Sequence, residues 1–180
     1  MSAPIFCHHV RTSLGPMAIG FLGREIRFAH FCDSEYESVS LLKSLCPDRN
    51  ILPATIQHEP LISSLEHSLL RMTNGEPPIY QPPTSLLGTS FQRAVWSCLR
   101  NIPLGEVRTY REIAQAIGAP RAVRAVASTC ARNQIALWIP CHRVVRADGT
   151  LGGYRWGIER KRALLEAERA RRLSPTTALT

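Results

Sequence analysis

Two proline pairs, Pro77-Pro78 and Pro82-Pro83, break this chain near its middle. Proline removes a backbone donor and disfavours helix in the residue before it, so the stretch predicts an extended connector. The fold must therefore be assembled from two parts joined there. In the first, Phe6–Arg11, Met17–Leu22 and Ile26–Phe31 are short strand-like runs, split by Leu14-Gly15-Pro16 and Gly23-Arg24. They predict an antiparallel meander. Residues 34–45 and 59–72 read as helices. Leu61, Ile62, Leu65, Leu69 and Met72 form an apolar stripe along the second, and Asn74-Gly75 ends it.

The second part announces its helices sharply. Thr89-Ser90-Phe91-Gln92 is a capping box, and its helix should reach about Arg100 with Phe91, Val95 and Leu99 inward. Thr109-Tyr110-Arg111-Glu112 is another, opening a helix to Ile117 that Gly118-Ala119-Pro120 breaks. A further helix is expected from Arg121 to about Arg132, with Val123, Val126 and Ala127 inward. Two short helices across such a turn describe a helix-turn-helix, or a plain helical hairpin. Arg121, Arg124 and Arg132 beside the small Ala122, Ala125, Ala127 and Ser128 favour DNA, because small side chains let a backbone approach a groove. A last helix is expected over about 159–172, carrying Leu164, Leu165 and Glu168, and residues 174–180 are expected to fray.

The chemistry concentrates in Ile139-Pro140-Cys141-His142-Arg143-Val144. Cationic neighbours or a base lower a thiol pKa and populate the nucleophilic thiolate. Pro140 should set Cys141 at the sharp end of an apolar strand, Ile135–Ile139. A buried structural cysteine is the alternative that this run alone leaves open.

Charge and cysteine usage narrow the class. The chain carries 22 Lys+Arg against 14 Asp+Glu, a net charge of +8. Sixteen of those cations and six of those acids fall within residues 88–172, the part that holds Cys141. A one-sided basic balance points to a polyanion, or to a solvated arginine-rich surface. No apolar run approaches a membrane span, and the first residues carry no secretory pattern. The six cysteines, at 7, 32, 46, 98, 130 and 141, lack paired spacing, so free thiols in a reducing, cytoplasmic compartment are expected. No apolar face announces a partner, and a monomer is expected.

From Gly88 to Glu168 the chain resembles the catalytic domain of the O6-alkylguanine-DNA alkyltransferases, also called methylated-DNA–protein-cysteine methyltransferases. The carrying motifs are Gly88-Thr89-Ser90-Phe91-Gln92 with Val95-Trp96, Ile102-Pro103-Leu104-Gly105-Glu106-Val107-Arg108-Thr109-Tyr110 and Arg121-Ala122-Val123-Arg124-Ala125-Val126. Pro-Cys-His-Arg-Val and Gly149-Thr150-Leu151-Gly152-Gly153-Tyr154-Arg155-Trp156-Gly157 complete them. No zinc-cysteine cluster like that of the adaptive-response regulator is present, so the chain resembles the stand-alone repair protein.

The resemblance implies a mixed α/β (α+β) fold. Residues 1–83 would form a small ribonuclease-H-like sheet with helices. Residues 84–173 would form a mainly helical, winged-helix-like DNA-binding alkyltransferase domain, and 174–180 a flexible tail. It implies one-time transfer of an alkyl group from guanine O6, and from thymine O4, to Cys141. His142 would act through a water as base, Glu168 would orient it, and Asn133 would tie the active-site turn to the helix-turn-helix. Tyr110 would help protonate the leaving guanine. Arg124 would fill the gap left by the flipped base, while Ala125, Thr109, Arg121, Arg132 and Ser128 complete the DNA surface. Carbonyls of Cys141 and Val144 would read the base, and the loop of Gly152, Gly153, Tyr154, Arg155 and Trp156 would close over it. Trp156 replaces a smaller residue of some relatives and is expected to narrow the pocket mouth. No cofactor and no metal are implied. Cys7, His8, His9, His30 and Cys32 have no standard zinc spacing. A cysteine hydrolase would need an oxyanion hole and would turn over. A DNA binder without chemistry would lack the nucleophile.

Overall fold

The computed structural model describes residues 3–173, so the expected tail at 174–180 lies outside the described residues. The meander forms as β1 (Ile5–Thr12), β2 (Gly15–Leu22) and β3 (Glu25–Phe31), antiparallel with Val10 opposite Met17 and Ile19 opposite Ala29. A short strand that the sequence reading missed, β4 (Ile51–Pro53), runs parallel to β1 and gives the order β3-β2-β1-β4. Three residues ending in proline carry too little periodicity to be seen in advance.

Two helices flank the sheet. Helix α1 (Glu35–Leu45) is capped by Ser34, whose hydroxyl accepts from the Glu37 amide. Helix α2 (Glu59–Thr73) buries Ile62, Leu65, Leu69 and Met72, the stripe that its spacing predicts. At Gly75 the backbone takes φ +74°, and an added Cβ would sit 2.4 Å from the backbone of Ala167. Only glycine permits both that turn and that approach.

The second part is helical: α3 (Ser90–Arg100), α4 (Tyr110–Ala116), α5 (Val123–Ala131) and α6 (Ile158–Leu173). Both capping boxes form, at Thr89 with Gln92 and at Thr109 with Glu112. Helix α5 starts two residues later than expected, because Arg121 still belongs to the turn after Pro120. Two-residue strands β5 (Arg108–Thr109) and β6 (Val144–Val145) pair in parallel and set the start of α4 against the Cys141 segment.

Residues 135–139 are not a strand. Ile135 makes a single bridge to Ala29 of β3, and then the chain turns repeatedly, with Leu137 at φ 70°. All five residues are buried. A short apolar run fits a buried strand and a buried turn equally well, and burial was the true reason for the composition. The main core cluster joins Phe21, Ile26 and Ala29 of the sheet to Trp96, Leu99, Ile135 and Leu164 of the helical part. Among the described residues no helix is long and apolar enough to cross a membrane.

Candidate active site

Cys141 opens a 3-10 turn directly after Pro140 and is buried. Its neighbours are fixed by hydrogen bonds. Asn133, just past α5 and fully buried, accepts from the Ile135 amide at 2.9 Å through Oδ1. Its Nδ2 donates to the Ile139 carbonyl at 2.9 Å and to Cys141 Sγ at 3.1 Å. One amide therefore pins both ends of the turning segment and presents a donor to the sulfur, which favours the anionic form.

His142 and Arg143 face α6. His142 Nε2 lies 2.8 Å from Glu168 Oε1, and both side chains are 2% exposed. Arg143 donates through Nε and Nη2 to the same carboxylate at 2.9 Å each, and through Nη1 to the Ile102 carbonyl at 2.7 Å. The Gly105 amide adds a bond to Glu168 Oε2 at 3.1 Å. Burial alone would raise the Glu168 carboxyl, but these donors and charges hold it at about 2. Burial lowers the His142 pKa against the pull of Glu168, so the ring is neutral at neutral pH. With Nε2–H on the carboxylate, Nδ1 is the free lone pair, and it has no protein partner.

The sulfur behaves differently from the sequence expectation. Burial pushes the Cys141 thiol up to about 11, outweighing the Asn133 bond and the charges of Lys161 and Arg155. At rest the sulfur is a protonated thiol. Tyr110, first residue of α4, is also raised by burial, to about 12, and keeps its phenolic proton.

Cys141 lines a cavity of about 340 Å³ with Tyr110, Ala127, Cys130, Ala131, Gly153, Tyr154 and Arg155. Larger cavities of about 500 and 530 Å³ lie elsewhere, and the thiol lines neither. Trp156 is not on this wall. It is buried behind Tyr154, ring centroids 5.1 Å apart, and packs edge-on against His30 at 5.0 Å. Its size fills the core between the two parts of the chain and does not narrow a mouth. Val144 is buried as well, and Gly152 turns at φ +65° beside the Tyr110 hydroxyl. The Cys141 carbonyl already accepts from the Val144 amide, and the Val144 carbonyl accepts from Lys161 Nζ at 2.5 Å. Each retains a second lone pair.

Lys161, Arg143, Gly105 and Cys130 were not given roles from sequence. Lys161 is buried on α6 and also reaches the Gly153 carbonyl at 3.4 Å, tying β6 to the loop over the cavity. A usable signal existed: Lys161, Leu164 and Glu168 share one helical face.

Arg121, Arg124, Ala125, Ser128 and Arg132 are exposed together on or beside α5. None of these three arginines forms an ion pair among the described residues. The Thr109 hydroxyl is engaged in its cap with Glu112. The cysteines and histidines of the sheet form no ligand set. His8 bonds Glu66, His9 bonds Ser38, Cys7 and Cys32 share one small buried apolar cluster, and His30 stacks on Phe28. Among the described residues no group of three or more potential ligands could hold a metal.

Residues 90–170 match the family model described as 6-O-methylguanine DNA methyltransferase, DNA binding domain. The bifunctional transcriptional activator/DNA repair enzyme Ada of Escherichia coli is 45% identical over 136 residues, which are 76% of this chain and 37% of that protein. The chain spans about half of the matching Mycobacterium bovis methylated-DNA–protein-cysteine methyltransferase, at 57% identity. The solved structure of Mycobacterium tuberculosis OGT in complex with DNA aligns with a TM-score of 0.77 at 34% identity, covering 92% of this chain and 93% of that one. The Mycobacterium leprae methylated-DNA–protein-cysteine methyltransferase is 36% identical across 96% of this chain and 98% of its own length, and on that match this chain belongs to the methylated-DNA–protein-cysteine methyltransferase family.

Proposed function

We propose that this protein repairs DNA by direct reversal, moving an alkyl group from guanine O6 onto Cys141. The observation that carries this reading is the sulfur itself. It lines a cavity, is held 3.1 Å from Asn133 Nδ2, and is followed directly in sequence by the histidine bound to Glu168. The proton leaves Sγ through a water to His142 Nδ1, and the ionised Glu168 stabilises the imidazolium that forms. Sγ then attacks the alkyl carbon in line, the carbon–O6 bond breaks, and its electron pair passes to the guanine. Tyr110 supplies a proton to the departing base, and the relay restores it. The thioether formed has no leaving group, so each molecule acts once and no cofactor enters the step.

A base inside a duplex cannot reach a buried thiol, so the lesion is flipped out, at a cost of a few kcal/mol. Arg124 fills the gap, while Arg121 and Arg132 hold phosphates on either side. Minor-groove entry, reaction at thymine O4, a monomeric state and a cytoplasmic location belong to the same reading. So do a division into 1–83 and 84–173 and a tail at 174–180.

Duplex oligonucleotide containing O6-methylguanine, incubated with the protein, should leave one added methyl group on the Cys141 peptide by mass spectrometry. Stoichiometry should stop at one. An unmodified peptide, or continued turnover, refutes the proposal, and Cys141→Ala should transfer nothing.

A further inference from the structure

The loop between β6 and α6 sets Tyr154 on the wall of the thiol cavity, and its glycines, Gly152, Gly153 and Gly157, leave it intrinsically loose. It is gripped from outside at two carbonyls, by adjacent residues in the first turn of α6. Lys161 reaches the Gly153 carbonyl at 3.4 Å, and Arg160 donates through Nη1 to the Trp156 carbonyl at 3.0 Å. Tyr154 and Arg155, both on the cavity wall, lie between the two grips.

Arg160 differs from Lys161 in what stands behind it. Its Nε donates at 2.9 Å to the carbonyl of Leu14, in the turn between β1 and β2. The guanidinium stands over the Phe31 ring of β3, 4.9 Å from its centroid, and Nη2 lies 3.7 Å from the exposed Asp33 carboxylate. The turn is shaped to admit it. At Gly15, where φ is +110°, an added Cβ would stand 3.1 Å from Arg160 Nη2. One planar fork therefore bonds two backbone carbonyls, one in the sheet part and one in the loop over the thiol. The core cluster shared by sheet and helices already joins the two parts, so what this fork adds is a fixed position for the loop. We infer that Arg160 is a positioning residue for the transfer step, tying the loop to the β1–β2 turn and so keeping Tyr154 on the cavity wall while the extruded base is inside. The inference rests on the alkyl-transfer reading above. It gives the sheet part, which contributes no side chain to the cavity lining, a hold on the chemistry.

The test compares the full chain as wild type, Arg160→Met and Arg160→Lys, each well below its own melting temperature. Single-turnover methyl transfer from duplex O6-methylguanine, followed against protein concentration, separates the saturating rate constant from duplex affinity. Arg160→Met keeps a stem over Phe31 and loses every donor. Its saturating rate should fall about tenfold, with affinity within about twofold of wild type. Amide hydrogen exchange without DNA should quicken over residues 152–157 and stay unchanged in β2 and α3. Arg160→Lys keeps the charge, but one ammonium cannot span both carbonyls, so it should recover little of the rate. Full recovery by lysine makes charge the cause and overturns the inference. Loop exchange that does not move, a faster rate, affinity falling in step with rate, or exchange that quickens throughout the chain overturns it too. A wild type that transfers methyl beside an equally fast Arg160→Met sinks the inference alone. A wild type that transfers none sinks the alkyl-transfer reading and the inference with it.

Discussion

Replacing Glu168 with glutamine keeps the shape of the side chain and removes its charge. In the wild type that carboxylate takes donors from His142, Arg143 and Gly105 and is 2% exposed, so solvent screens little of the interaction. Its pKa is held at about 2 against an ordinary 4.5. At 1.36 kcal/mol per pKa unit, that depression contributes roughly 3 kcal/mol to folding at neutral pH, in line with the 3–5 kcal/mol typical of breaking a buried pair. A depressed carboxyl stabilises above its unfolded pKa and loses that contribution as pH falls through the folded one. The difference between wild type and Glu168→Gln should therefore hold at roughly 3 kcal/mol from pH 7 to about 5, and shrink to less than half by about pH 3. Urea unfolding at matched pH reads it directly, and thermal melts at pH 7 should differ by about 6–12 °C. A gap that stays constant with pH, or falls below about 1 kcal/mol at pH 7, would refute the assignment of Glu168 as the ionised anchor.

Tyr110→Phe should slow methyl transfer by roughly a hundredfold or more while leaving duplex affinity unchanged in a filter or anisotropy assay, since in the proposed step the phenol serves only the leaving base. Arg121→Gln and Arg132→Gln should each flatten the dependence of log affinity on log salt by about one. Trp156→Gly should cost about 3–5 kcal/mol of stability by calorimetry, because the ring fills the core between His30 and Tyr154. Lys161 is pushed by burial to about 8, below its ordinary 10.5, so charging it opposes folding. Wild-type stability should rise as pH climbs from 8 towards 10.5, and Lys161→Met should lack that rise and be no less stable at pH 7.

The legible parts of this molecule were those governed by local rules. The capping boxes at Thr89 and Thr109 place their helices to within a residue, because the cap chemistry is written in four consecutive positions. The stripe on α2 was readable for the same reason. The segment 135–139 was not, since its geometry depends on Asn133 and on the bridge to Ala29, neither of which a run of apolar letters encodes. Cys141 and His142 stand out in their motif and Glu168 through the family resemblance, yet the direction of the thiol's shift is not readable there. Charge is visible in a sequence, whereas burial, the larger influence here, emerges only from the packed fold. Trp156 failed similarly: its size was plain and its side of the wall was not.

If each molecule acts once, as proposed above, a thiol held near 11 has a consequence for how long it lasts unspent. At neutral pH only about one molecule in ten thousand carries the free sulfur anion, the form that peroxides and stray electrophiles consume. The same walls that make the sulfur sluggish therefore lengthen its shelf life. On the alkyl-transfer reading proposed above, unspent protein is then drawn down by lesions and hardly at all by the reactive small molecules that create them.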